Sequence, residues 1–109
     1  MIEKQYSYTQ TNEKVIEKLV GDDMAMINHI VLAAGEALPE HYSDSNVYLV
    51  VTRGNLTIQL DEQETHHYQA SVVNIPFHTK MNISNAGKQV LEFFIVKAPH
   101  PRVYKAETV

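Results

Sequence analysis

Along this chain apolar residues gather in short runs, each closed by a polar cluster rich in turn formers, and no stretch demands a long helix. Residues 1–12 are polar, and the spacing of Tyr6 and Tyr8 predicts an edge strand that ties down the terminus. KVIEKLV and MAMINHIVLA flank Gly21-Asp22-Asp23 and read as a hairpin, with a helix through Val15, Ile16, Leu19 and Val20 as the competing reading. VYLVVTR and LTIQLDE flank Gly54-Asn55, a pair able to take positive φ, which predicts a second and tighter hairpin. After the polar stretch EQETHHYQ, SVVNIP is stopped by Pro76, which lacks a ladder donor. KMNIS then runs to a turn at Asn85-Ala86-Gly87, and QVLEFFIVK, about 89–97, makes the last strand before Pro99, Pro101 and a short tail. The sum is an all-β sandwich or barrel forming a single domain over residues 1–109, with its first strands within 1–34.

Strands with one wet face alternate strictly, yet MAMINHIVL, VYLVV and VLEFFIV are apolar at consecutive positions, so both faces require cover. A small barrel has one interior. The outer face is most simply covered by an identical subunit, which predicts a homodimer.

Composition narrows the function classes. With 13 acidic against 9 basic side chains and a net charge of -4, the chain offers no phosphate-tracking surface, so nucleic acid is not an expected partner. There is no cysteine, which removes disulfides, thiolate metal sites and thiol nucleophiles together. The opening MIEKQYSY lacks the apolar core of a signal peptide and no run approaches membrane-spanning length, so the expected location is the cytoplasm, off the membrane. Its four glycines are scattered singly, which excludes a P-loop or dinucleotide fingerprint. The carboxylate pairs at Asp22-Asp23 and around Asp61-Glu62 sit in turns and read as solvated.

Two spacings coincide. Gly35, His41, Ser43, Val47 and Gly54 fall at the intervals of G-x5-H-x-H-x3-E-x6-G, and Ala70, Pro76, His78, Met81 and Asn85 fall at those of G-x5-P-x-G-x2-H-x3-N. In that order the pair, at 35–54 and 70–85, resembles the two motifs of the cupin superfamily. The resemblance implies a double-stranded β-helix of jelly-roll type. It also implies a metal bound by three histidines and a glutamate at the barrel mouth, and here the sequence departs. His41 alone is retained, while Ser43, Val47 and Met81 stand where the other three donors belong. Hydroxyl is a weak ligand, thioether a soft one and valine none, so no metal or other cofactor is expected at the family position. Recruiting Asp44, Asn46 or His78 instead would need a bulge, because neighbours on a strand face opposite sides.

Alternation then sorts the candidates. Val47, Leu49 and Val51 should point inward with Leu56, Ile58, Leu60 and Ile83, giving a largely apolar pocket whose polar anchors are His41 and Ser43. Asn28 should also face inward, and His29 outward to the subunit interface; Tyr42, Tyr48 and Lys80 should face away from the pocket. Periodicity does not decide which of Phe93 and Phe94 lines the interior. His66 and His67 diverge along a strand and read as a solvent-facing edge, Arg53 as a solvated strand end, and His100 as a tail residue. Four readings follow: a metal-independent module binding an unknown small molecule at His41, Ser43, Val47, Leu49, Met81 and Asn28; a metal-free isomerase, epimerase or lyase with His41 as acid/base; a cupin with a non-standard metal site; and a structural dimer whose interior is filled.

Overall fold

The computed structural model describes residues 2–107, with nine strands and one short helix in order β1 (Val15–Gly21), β2 (Met26–Leu32), β3 (His41–Tyr42), β4 (Val47–Arg53), β5 (Leu56–Leu60), β6 (His66–Tyr68), β7 (Val72–Ile75), β8 (Lys80–Ser84), β9 (Leu91–Lys97) and α1 (Pro101–Glu107). Two sheets result, β1-β2-β9-β4-β7 and β3-β8-β5-β6, and neighbouring strands in each pair antiparallel. Their inner faces enclose the core. Ile30 and Leu32 of β2, Leu49 of β4 and Phe93 of β9 meet Ile58 of β5 and Ile83 of β8, each nearly or wholly removed from water. Each such side chain contributes about 1.5–3 kcal/mol by burial, which is what holds the sheets face to face.

The first hairpin forms as expected. Its turn is built by Asp22, whose carboxylate accepts from the backbone N–H of Met24 at 2.9 Å and of Ala25 at 3.0 Å. Because β1 shifts register between Lys18 and Val20, Leu19 forms a bulge, and no helix competes there.

The second expected hairpin does not form. β4 pairs with β9 and β7, whereas β5 pairs with β8 and β6, so the chain changes sheets at Gly54-Asn55. A register shift between Val51 and Arg53 bends β4 out of its sheet. Gly54 then takes φ 74° and passes so near the neighbouring chain that a Cβ would lie 2.3 Å from the Val90 carbonyl oxygen. Gly54 thus serves a corner, where close backbone approach matters as much as positive φ.

The N-terminal residues differ as well. Residues 2–14 join no ladder; they form a strap over the outer face of the five-stranded sheet. Tyr8 packs on His29 and Phe94 with centroids 4.7 and 5.0 Å away. Thr9 N–H donates to Glu17 at 2.9 Å, and Arg53 reaches the Asn12 side chain and the Thr11 carbonyl, both at 2.9 Å. Side chains hold this segment where a strand pairing was expected. Part of the cover that the double-sided apolar pattern requires therefore comes from the chain itself.

At the other end, Pro101 opens α1 with φ suited to a first helical position, and His100 Nδ1 accepts the Arg102 N–H at 3.1 Å as the cap. His100 thus has a structural task.

Candidate functional site

The candidate site lies at one end of the core, where β3 is only two residues long and leaves the space between the sheets partly open. Strand alternation brings Asn28 and Ile30 from β2, Ile95 and Lys97 from β9, and Val47 and Leu49 from β4 onto one wall. His41 and Met81, paired directly across β3 and β8, form the facing wall with Ile83. Leu38 and Pro39 close the side and Ile16 stands at the rim. Together they bound a cavity of about 200 Å³. The interior at this end is therefore not filled by Met81 and Val47.

Five of the six expected pocket residues meet there: His41, Val47, Leu49, Met81 and Asn28. Ser43 does not. Its hydroxyl donates to the Pro76 carbonyl at 2.6 Å and accepts the Thr79 N–H at 2.8 Å, while its backbone bonds to Thr79 and His78. A residue expected to anchor ligand instead ties the first motif to the β7–β8 loop. Its buried donor and acceptor are both satisfied within the fold.

His41 is solvent-exposed, and its Nδ1 lies 2.9 Å from the Pro39 carbonyl. A carbonyl only accepts, so Nδ1–H donates and Nε2 remains an acceptor in the neutral ring. Lys97 was not anticipated. Its ammonium reaches Asp44 at 2.9 Å with the side chain only 15% exposed, at the polar rim of the cavity. Alternation along β9 would have pointed to it once Phe93, wholly buried, was known to face inward; Phe94 packs on the outer face against Tyr8 and His29. Asn28 carries a further feature: its amide oxygen is buried with no hydrogen-bond partner among the described residues.

These donors do not fit the metal that the motif pattern implies. Of the four family positions His41, Val47 and Met81 face the cavity, giving one imidazole, one thioether and one alkyl group, and the Ser43 hydroxyl is engaged elsewhere. Among the described residues no group of three or more His, Cys, Asp or Glu side chains is arranged to hold a metal ion.

The backbone nevertheless preserves the motif geometry. Gly35 N–H donates to the Asn85 carbonyl and Asn85 N–H to the Glu36 carbonyl, both at 2.8 Å, which joins the start of the first motif to the end of the second. Asn85, buried, also donates its amide to the carbonyls of Leu32 at 2.9 Å and Gln89 at 2.8 Å. Ala70 and His78, at the second motif's two glycine positions, keep left-handed backbone with φ 40° and 62°.

Among curated proteins the chain is 47% identical over 108 residues to an uncharacterised protein of Methanocaldococcus jannaschii, covering 97% of this chain and 93% of that one. A solved structure from the same organism, an RmlC-like cupin family protein with a double-stranded β-helix fold, superposes with TM-score 0.93 at 47% identity, covering 96% of this chain and 98% of that one. The chain belongs to the cupin superfamily. More distant cupins share the fold alone. A cupin-like protein of Thermotoga maritima matches with TM-score 0.72 at 20% identity over 90% of this chain and 80% of its own. The cupin domain of Schizosaccharomyces pombe Cnp3 matches with TM-score 0.73 at 16% identity over 86% and 70%. No family model matches the sequence.

Elsewhere on this cupin, the strongest electrostatics lie outside the barrel. His29, fully buried, places Nδ1 2.7 Å from Glu17 and Nε2 2.7 Å from Glu92, and Arg53 Nε binds the other Glu92 oxygen at 3.0 Å. Burial pushes the Glu92 carboxyl up, but the bond from His29 and the Arg53 charge outweigh it and hold it below its ordinary value. Glu17 is lowered by the Thr9 N–H and by His29. His29 therefore faces outward as expected, yet its cover is its own strap, not a second subunit. A larger hollow of about 420 Å³ lies beside this network, lined by Tyr8, Gln10, Thr11, Asn12, Arg53 and Glu92. Its charged groups are engaged by one another and by the strap, whereas the barrel cavity holds the unpartnered Asn28 amide oxygen. His66 and His67 lie exposed on the sheet-edge strand β6. Tyr42 stacks on His78 away from the cavity, and Lys80 is raised by its bond to Glu62.

Proposed function

We propose that this cupin binds a small organic molecule in its barrel without a metal ion, as a cytoplasmic homodimer. The observation that carries the reading is the composition of the cavity wall: apolar side chains at two of the family's ligand positions, with Asn28, His41 and Lys97 as the polar groups around an open space. Mostly apolar walls with a few convergent polar groups are the usual make-up of a small-molecule site. At about 200 Å³ the space lies below the range of drug-sized pockets and suits a small guest. A second copy is favoured by the part of the outer sheet face that the strap leaves open, where Val72 is 62% and Tyr48 38% exposed. Sedimentation of the intact protein tests the dimer, and a monomer at high concentration overturns it.

Elemental analysis of protein purified without chelator or affinity tag tests the metal-free reading. The expected result is no stoichiometric transition metal; near-stoichiometric iron, manganese, nickel, copper or zinc sinks it. Lys97 favours a second reading, a metal-free isomerase, epimerase or lyase, because it places a second N–H donor in the cavity with His41. If His41→Ala leaves an identified turnover unchanged, that reading fails.

A further inference from the structure

The polar end of the cavity has a definite chemical character. Asn28 lines the space from β2, and its buried amide oxygen has no partner among the described residues. Such a group destabilises the fold unless a guest or an ordered water completes it. Lys97 is its diagonal neighbour on the same face, because Asn28 pairs with Ile95 two residues earlier on β9. Lys97, the one Lys, Arg, Asp or Glu among the described residues that lines the cavity, holds its ammonium 2.9 Å from the Asp44 carboxylate, so its charge is already paired. A carboxylate guest drawn to Lys97 meets Asp44 beside it, and an ammonium guest meets Lys97. Pure hydrocarbon leaves the amide unmet.

Resting on the small-molecule reading of the cavity, we propose that its ligand is an uncharged molecule with a compact apolar body and one hydroxyl-type head, held by the Asn28 amide. A hydroxyl donates to Oδ1 and accepts from Nδ2–H, meeting both halves of the amide, whereas a methyl meets neither. The terminal torsion of asparagine is soft, so a small rotation turns the amide toward a guest. With Nδ1–H engaged by Pro39, Nε2 is the His41 nitrogen left to face a guest at the rim.

A matched series on one ring tests this: p-cresol, toluene, 4-methylbenzoate and 4-methylbenzylammonium, titrated into the intact protein and followed by methyl NMR shifts. p-Cresol should bind about tenfold more tightly than toluene, the difference of one hydrogen-bonded buried group. Both ions should bind more weakly than p-cresol. Asn28→Leu should erase the preference for p-cresol while toluene still binds, and Asn28→Ala gives the same readout if the leucine variant does not fold. Tightest binding of 4-methylbenzoate would identify Lys97 as the reader and overturn the proposal, as would a p-cresol preference that survives both variants. Toluene binding as well as p-cresol overturns the head-group assignment but leaves the binding cavity standing. If none of the four binds protein that melts cooperatively, the small-molecule reading itself falls.

Discussion

Replacing His29 by phenylalanine isolates the ion-pair network beneath the strap. The substitution keeps a ring of similar size against Tyr8 and Phe94, whose centroids lie 4.7 and 4.9 Å from that of His29. What it removes is two ring nitrogens, each 2.7 Å from a carboxylate oxygen. Breaking a buried pair costs about 3–5 kcal/mol, because the surviving charge is left in a poor solvent. Glu92 is only 11% exposed but retains Arg53 at 3.0 Å and Thr52 at 3.2 Å, so the Glu92 side alone should cost about 3 kcal/mol, the lower end. For a chain of this size that lowers Tm by about 12 °C. The pH dependence adds a check. Both carboxylates are depressed below 4.5 in the folded state, so their contribution is present above that value and is lost as pH falls through the folded pKa. The gap between wild type and His29→Phe should therefore be full at neutral pH and shrink below pH 4.5. Urea unfolding across that range measures it. A gap under about 1 kcal/mol at neutral pH, or one that does not change on acidification, refutes the reasoning.

Three further substitutions probe the backbone and the motif positions. Gly54→Ala combines positive φ with a Cβ 2.3 Å from the Val90 oxygen and should destabilise by at least about 3 kcal/mol in chemical denaturation; a loss under about 1 kcal/mol contradicts the corner geometry. Ala70→Gly should stabilise by about 0.5–1 kcal/mol, since relief of left-handed strain exceeds the added chain entropy at this exposed site; destabilisation measured by thermal melting argues against it. Ser43→Ala should cost about 1–2 kcal/mol of stability by orphaning Thr79 N–H, while the Pro76 carbonyl keeps the Thr79 hydroxyl at 2.9 Å, and should leave binding of p-cresol at saturating folded protein unchanged. Unchanged stability with lost binding would return Ser43 to the pocket.

Much of the site was legible from spacing. The interval from Gly35 through His41 to Val47 and the position of Met81 led to the cavity wall, and alternation led to Leu49 and Asn28. Lys97 was hidden because VLEFFIVK is apolar on both faces, so its phase was undetermined until Phe93 was found in the core. Ser43 was misassigned because the motif fixes its position but not its hydrogen bonds, whose partners lie more than thirty residues away at Pro76 and Thr79. The same limit applied to the turn at Gly54-Asn55. A glycine beside asparagine between two apolar runs reads as a hairpin locally, and only the competition of β9 for β4 and of β8 for β5 makes it a corner.

What the sequence determined by itself was the strand-rich class, the cupin spacing and the loss of three metal donors. These follow from side-chain identity and local period, which are properties of neighbouring residues. The tertiary structure decided which strand pairs with which, that the N-terminal strap buries His29, and that a cavity persists beside Met81 with Asn28 in its wall and Lys97 at its rim. Those depend on contacts between residues far apart in the chain, and several arrangements of the same alternating strands would satisfy local preference equally. The fold chooses among them by what its two sheets bury together.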